Sequence, residues 1–124
     1  MNKENWLEFC LSLGPTFADT PFAKMEKGPA TIVVKHLKNK KSFVYISERE
    51  GNLVLAVKGL PSVNEELRES FDSIRPAWHM NKTHWNDIHF GGDVSEKQAK
   101  QMIENSYHLI KPKREEKWNI KKNF

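Results

Sequence analysis

Apolar residues along this chain recur with two periods, and these divide it into helices and strands. Trp6, Phe9, Cys10 and Leu13 fall at i, i+3, i+4 and i+7, which predicts a helix over 3–13 capped by Asn2 and stopped by Gly14-Pro15. Pro15, Pro21, Gly28 and Pro29 make 15–30 an irregular connection, with a short edge strand near 23–26. Strands are expected at 31–37 (β-branched), 42–48 (aromatic and aliphatic in alternation) and 53–58 (aliphatic). The linking segments 38–41 and 49–52 are short, so these three strands should be antiparallel neighbours. Gly59-Leu60-Pro61 ends the third strand, and Ser62 with Glu65 matches the capping box of a second helix with the stripe Val63, Leu67, Phe71, Ile74. Ser95 with Gln98 opens a last helix to about Ile110, with Ala99, Met102, Ile103, Leu109 and Ile110 inward and Pro112 as its stop.

Between these two helices lies Arg75-Pro-Ala-Trp-His-Met-Asn-Lys-Thr-His-Trp85, which holds two of the four Trp and two of the five His. It reads as a hairpin with Asn81-Lys82 as a two-residue turn and a second strand over 83–90, broken by Gly91-Gly92. In that register Met80 pairs with Thr83, His79 with His84 and Trp78 with Trp85. Strand alternation then puts both Trp on the helix-facing side and both His on the open side. The order helix, three strands, helix, two strands, helix predicts an α+β domain with an antiparallel sheet of about five strands and helices packed on one face.

The run Pro-Ala-Trp-His-Met-Asn-Lys-Thr-His-Trp resembles the MmcQ/YjbR family of small bacterial proteins, whose central motif is Pro-Ala-aromatic-His-Met-Asn-Lys-x-His-Trp. Lys41-Ser42-Phe43, Lys58 and Glu104-Asn105-Ser106-Tyr107 extend the resemblance over roughly 15–112. It implies a frataxin-like (CyaY-like) fold and DNA binding.

The length of 124 residues fits one domain, expected over 1–112, with 113–124 as a flexible basic extension. The charge of +4 changes the picture only when it is located. Residues 111–124 hold six basic residues against two acids, which leaves fourteen of each in the first 110. The body is neutral and the tail is the electrostatic feature. A single cysteine excludes an internal disulfide, and no apolar run approaches a membrane span, so a cytoplasmic monomer with no membrane contact is expected.

Candidate chemistry centres on the hairpin. Trp78 and Trp85 are either a packed cross-strand pair or a stacking platform for bases. Asn81 and Lys82 are either turn residues or, with Arg75, contacts to phosphates and base edges. His79 and His84 make only two metal ligands, and His89 and Asp87 point elsewhere by parity, so no metal is expected. Cys10 sits on a helical stripe and reads as a buried small hydrophobe, and no Gly-rich phosphate loop is present. The reading is a non-enzymatic protein without cofactor that binds double-stranded DNA through Arg75, His79, Asn81, Lys82 and His84, helped by Lys38, Lys40 and Lys41 on a second basic loop. The alternative is a module for a protein or small ligand with no nucleic-acid role.

Overall fold

The structure is a computed structural model that describes residues 1–112. The expected tail therefore lies outside the described residues. Three helices, α1 (Lys3–Leu11), α2 (Pro61–Ser70) and α3 (Glu96–Leu109), accompany six strands: β1 (Thr16–Asp19), β2 (Ile32–His36), β3 (Ser42–Arg49), β4 (Asn52–Lys58), β5 (Ile74–Pro76) and β6 (Trp85–His89). They form one antiparallel sheet in the order β1-β2-β3-β4-β6-β5. Side-chain alternation directs Val34, Val44, Ile46, Leu55, Val57, Ile74 and Ile88 to one face, where Trp6 and Cys10 of α1 and Ala99, Met102, Ile103 and Tyr107 of α3 close the core. The helices thus sit on one face, as the α+β reading required.

Six strands replace the expected five. The segment 23–26 is turn, and the edge strand is β1, paired Thr16↔His36 through Asp19↔Val33. All four of its residues are half-buried, so the stretch carries no alternation to read. The capping box at Ser62 is not used either. Leu60 is the cap and Pro61, with its φ preset for a helix, takes the first turn. That shift leaves Val63 exposed, and Ile74 belongs to β5. Leu109, expected inward, is exposed at the last turn of α3.

The predicted two-residue hairpin is not formed. β5 pairs Ile74↔Ile88, Arg75↔Asp87 and Pro76↔Asn86, and residues 77–84 make an eight-residue connection. Asn81 is the cause. Its carbonyl accepts from the N–H groups of His84 (3.2 Å) and Trp85 (3.0 Å), and its side-chain oxygen accepts from Thr83 N–H (2.9 Å), which curls 81–85 into one helical turn. His79 and His84 are consequently not opposite each other, nor is Trp78 opposite Trp85. Trp85 lies on the face away from the helices, packed with Ala56, Ala77, Tyr45 and Met80.

The scattered matches outside the central motif meet at one buried joint. Ser106 Oγ on α3 donates to the Phe43 carbonyl (2.6 Å) and accepts from Lys58 N–H (3.0 Å), tying β3 and β4 to the helix. Tyr107 packs edge-on to Phe43 at 5.3 Å, and its carbonyl bonds His36 Nε2 at 2.9 Å. Ser106→Ala leaves two buried backbone groups without partners and is expected to cost about 1–3 kcal/mol. Cys10 reports this directly: it is fully buried and its thiol is pushed up to about 12 by that burial. Thiol labelling of the native protein should be slow, and should accelerate in Ser106→Ala in step with its loss of stability in urea.

Candidate functional site

The face away from the helices is open, and a groove of about 1150 Å³ runs across it. Tyr45, Ser47 and Arg49 of β3, Val54 and Ala56 of β4, and Asp87 and His89 of β6 line its floor by strand alternation. The small side chain of Ala56 deepens the middle, and Tyr45 meets Trp85 edge to face at 5.4 Å beside it. The walls come from two connections: Phe22 and Met25 from the segment between β1 and β2, and Trp78, His79 and Met80 from 77–84.

Asp87 organises the floor. Its side chain is 2% exposed, and Oδ2 accepts from Arg49 Nη1 (2.8 Å) and from the Trp78 backbone N–H (3.1 Å). One carboxylate oxygen thereby holds both β3 and the Trp78 wall, and breaking such a pair strands a buried charge. Oδ1 is buried with no donor. His89 lies beside it, two residues along β6. Burial holds its imidazole below the usual histidine range, reinforced by Arg75 and Arg49 and partly offset by Asp87.

The remaining motif residues hold the 77–84 connection in place. Lys82 Nζ donates to the carbonyls of Ala77 (2.9 Å) and Trp78 (3.1 Å), closing the loop on itself. Asn64 of α2 donates to Thr83 O at 3.2 Å, Arg68 donates to the Lys82 carbonyl and, at 2.6 Å, to Asn86 Oδ1, and Gly59 N–H donates to His84 O at 3.0 Å. Ala77 and Trp85 are buried. Among the motif side chains, Trp78, His79 and Met80 face the groove and His84 is exposed outside it.

The family model described as YjbR matches residues 11–109. The chain belongs to the YjbR family. It is 29% identical to YjbR of Escherichia coli K12 across 52% of this chain and 55% of that one, so it spans little more than half the length of this relative. YyaQ of Bacillus subtilis is also 29% identical, across 77% of this chain and 88% of its own. Among solved structures, a crystal structure of a Pseudomonas syringae protein superposes with a TM-score of 0.76 at 27% identity, covering 88% of this chain and 98% of that one. Deinococcus radiodurans protein DR2400 superposes with a TM-score of 0.75 at 25% identity, covering 89% and 78%.

In this YjbR-family chain the expected site residues divide into three groups. Arg75 and His79 border the groove on the open face. Lys82 is tied to its own loop, and Asn81 forms the turn. Lys38, Lys40 and Lys41 sit on the turn between β2 and β3, at the same end of the sheet as 77–84, because Val44↔Val57 and Lys58↔Trp85 bring those strand ends level. Sequence reasoning missed Tyr45, Arg49, Asp87 and His89 as one cluster. The available signal was the adjacent pair Asn86-Asp87 between Trp85 and Ile88, which in a strand has to be satisfied on both faces at once.

Two measurements check this electrostatic arrangement. The folded-state pKa of His89 lies below the ordinary value of 6.5, so the unfolded chain takes the proton first on acidification. The stability it contributes is complete above that ordinary value and is lost as pH falls through the folded one. NMR titration of His89 should show the depression, and Arg75→Ala should raise the value towards normal. Lys82→Met should leave the fold intact and speed amide exchange across 78–84 by about tenfold, the loss of a charge-assisted bond.

Proposed function

We propose that this chain is a non-enzymatic binding module that takes its ligand in the groove on the open sheet face. The carrying observation is the Arg49–Asp87 pair, with Asp87 buried, on the floor of a groove of about 1150 Å³ with aromatic and thioether walls. Large concave sites with a few fixed polar groups among apolar side chains are the usual form of a ligand pocket. The exposure of Trp78 (70%) and Met25 (76%), with Phe22 beside Met25, supports the same reading, since exposed apolar side chains grouped around one concavity mark an interaction site. A fragment screen followed by 1H–15N NMR tests it. Hits should perturb the Tyr45, Ala56, Asp87 and His89 amides and the Trp78 indole together. Hits that gather elsewhere on the surface, or none at all, would remove the assignment.

A second reading, double-stranded DNA held at the basic end of the sheet, is favoured by one observation. Lys38 and Lys41 share a depression of about 590 Å³ with Lys111, and exposed His84 lies at the same end. Each neutralised phosphate adds about −0.9 to the slope of log affinity against log salt. Under this reading, replacing Lys38, Lys40 and Lys41 together with Ala flattens that slope by about 3. Lys82→Ala should barely change it, because that ammonium is engaged within its loop. An unchanged slope in the triple variant would dismiss the basic end as a DNA contact.

A further inference from the structure

Four carboxylates, Glu26, Glu48, Glu50 and Asp87, and two guanidiniums, Arg49 and Arg75, line the groove, and they are unevenly placed along it. Arg49 is neutralised by Asp87 at 2.8 Å, and the Asp87 oxygen involved also accepts from Trp78 N–H. Glu26 on the rim accepts from the Thr31 N–H and hydroxyl at 2.9 and 2.6 Å, which favours its ionised form, and it lies in the β1–β2 connection away from Arg75. Glu48 lies 3.9 Å from Lys3, and Glu50 is exposed in a turn. Arg75 remains. It stands across the ladder from Asp87, donates through Nε to the Asp72 carbonyl at 3.3 Å, and has no carboxylate within ion-pair distance among the described residues. Burial holds its neighbour His89 below the ordinary 6.5, which favours the neutral imidazole. One guanidinium without a counter-ion therefore borders a groove whose walls are Trp78, Met25 and Phe22.

We infer that the groove takes a small organic anion: a carboxylate or phosphate on a flat apolar body, with the charge at Arg75 beside His89 and the flat part against Trp78. This rests on the reading of the open face as a ligand site and adds the class of ligand. Guanidinium matches either anion in a two-pronged fork, and beside apolar walls the pairing is less screened than on an open surface. The indole of Trp78, 70% exposed, offers a stacking face, and Met25 opposite is an unbranched thioether that adapts to different outlines. A cation at the Arg75 end is disfavoured because the carboxylate nearest to it, Asp87, is already paired and buried, and the other lining carboxylates, Glu26, Glu48 and Glu50, lie towards the β1–β2 connection and the β3–β4 turn. A neutral apolar molecule would leave the Arg75 charge at the groove edge without a partner.

Calorimetry with the full chain and four probes tests this: 2-naphthoate, 2-naphthyl phosphate, neutral 2-naphthamide and cationic 2-naphthylmethylammonium, with 1H–15N NMR to locate each. One or both anions should bind with shifts at Ala56, Asp87, His89 and the Trp78 indole, and the stronger of the two identifies the head group. The amide should bind about tenfold more weakly, and the ammonium probe weakest of all. Arg75→Gln, a change at an exposed position, should abolish the preference for anion over amide, whereas Trp78→Ala should weaken anion and amide alike. Equal affinity for anion and amide in the groove, or a preference that survives Arg75→Gln, overturns the anion proposal while the groove remains a ligand site. Anion shifts confined to Lys38, Lys41 and Lys111 overturn it too. If fragments bind the groove but no naphthyl anion does, the class of ligand is wrong. If nothing binds there, the ligand-site reading itself fails.

Discussion

A six-stranded sheet has two faces, and the three helices of the described residues all pack on one of them. The uncovered face has to be stable in water on its own. It manages this with polar pairs laid over the strands: Arg49 with Asp87, Lys35 with Asp19, and the Ser42 and Tyr45 hydroxyls at 3.0 Å. A small satellite cluster of Ala56, Ala77 and Trp85 shields the middle. Parity along each strand enforces the division, so one choice of register fixes both the core and the composition of the open groove.

The same constraint explains why the central motif is so dense in unusual residues. Ala77 is fully buried, Asn81 and Lys82 fold the connection, and the carbonyls of Lys82, Thr83 and His84 are taken up by Arg68, Asn64 and Gly59. A connection of eight residues is thereby made rigid without regular secondary structure. Its stiffness presents Trp78 and His79 to the open face, and its anchor on Asp87 places that wall next to the floor's ion pair.

Much of this architecture was legible in the sequence. The Trp6–Cys10 stripe, the three central strands and the Ser95–Gln98 box gave α1, β2 to β4 and α3 nearly to the residue, because apolar period and local capping agree there. β1 was not legible, since four half-buried residues show no alternation. The hairpin expectation fails because Asn81-Lys82, set between two His and two Trp at matching distances, has the composition of a tight turn. Nothing local reveals that Asn81 would instead close a helical turn fastened by Arg68 and Asn64 from another element. The groove escaped for a similar reason. Arg49 and Asp87 lie 38 positions apart and meet only because β6 inserts between β4 and β5.

The sheet's margins bear on how this fold resists edge-to-edge pairing. β5 is three residues long and ends in Pro76, which has no N–H to offer a new strand, and β1 at the opposite margin is four residues long and starts just after Pro15. Neighbouring molecules in a crowded solution therefore find little open ladder to extend, and growth of the sheet into fibrils is blocked at both margins. That protection is what permits one broad face to stay uncovered and available.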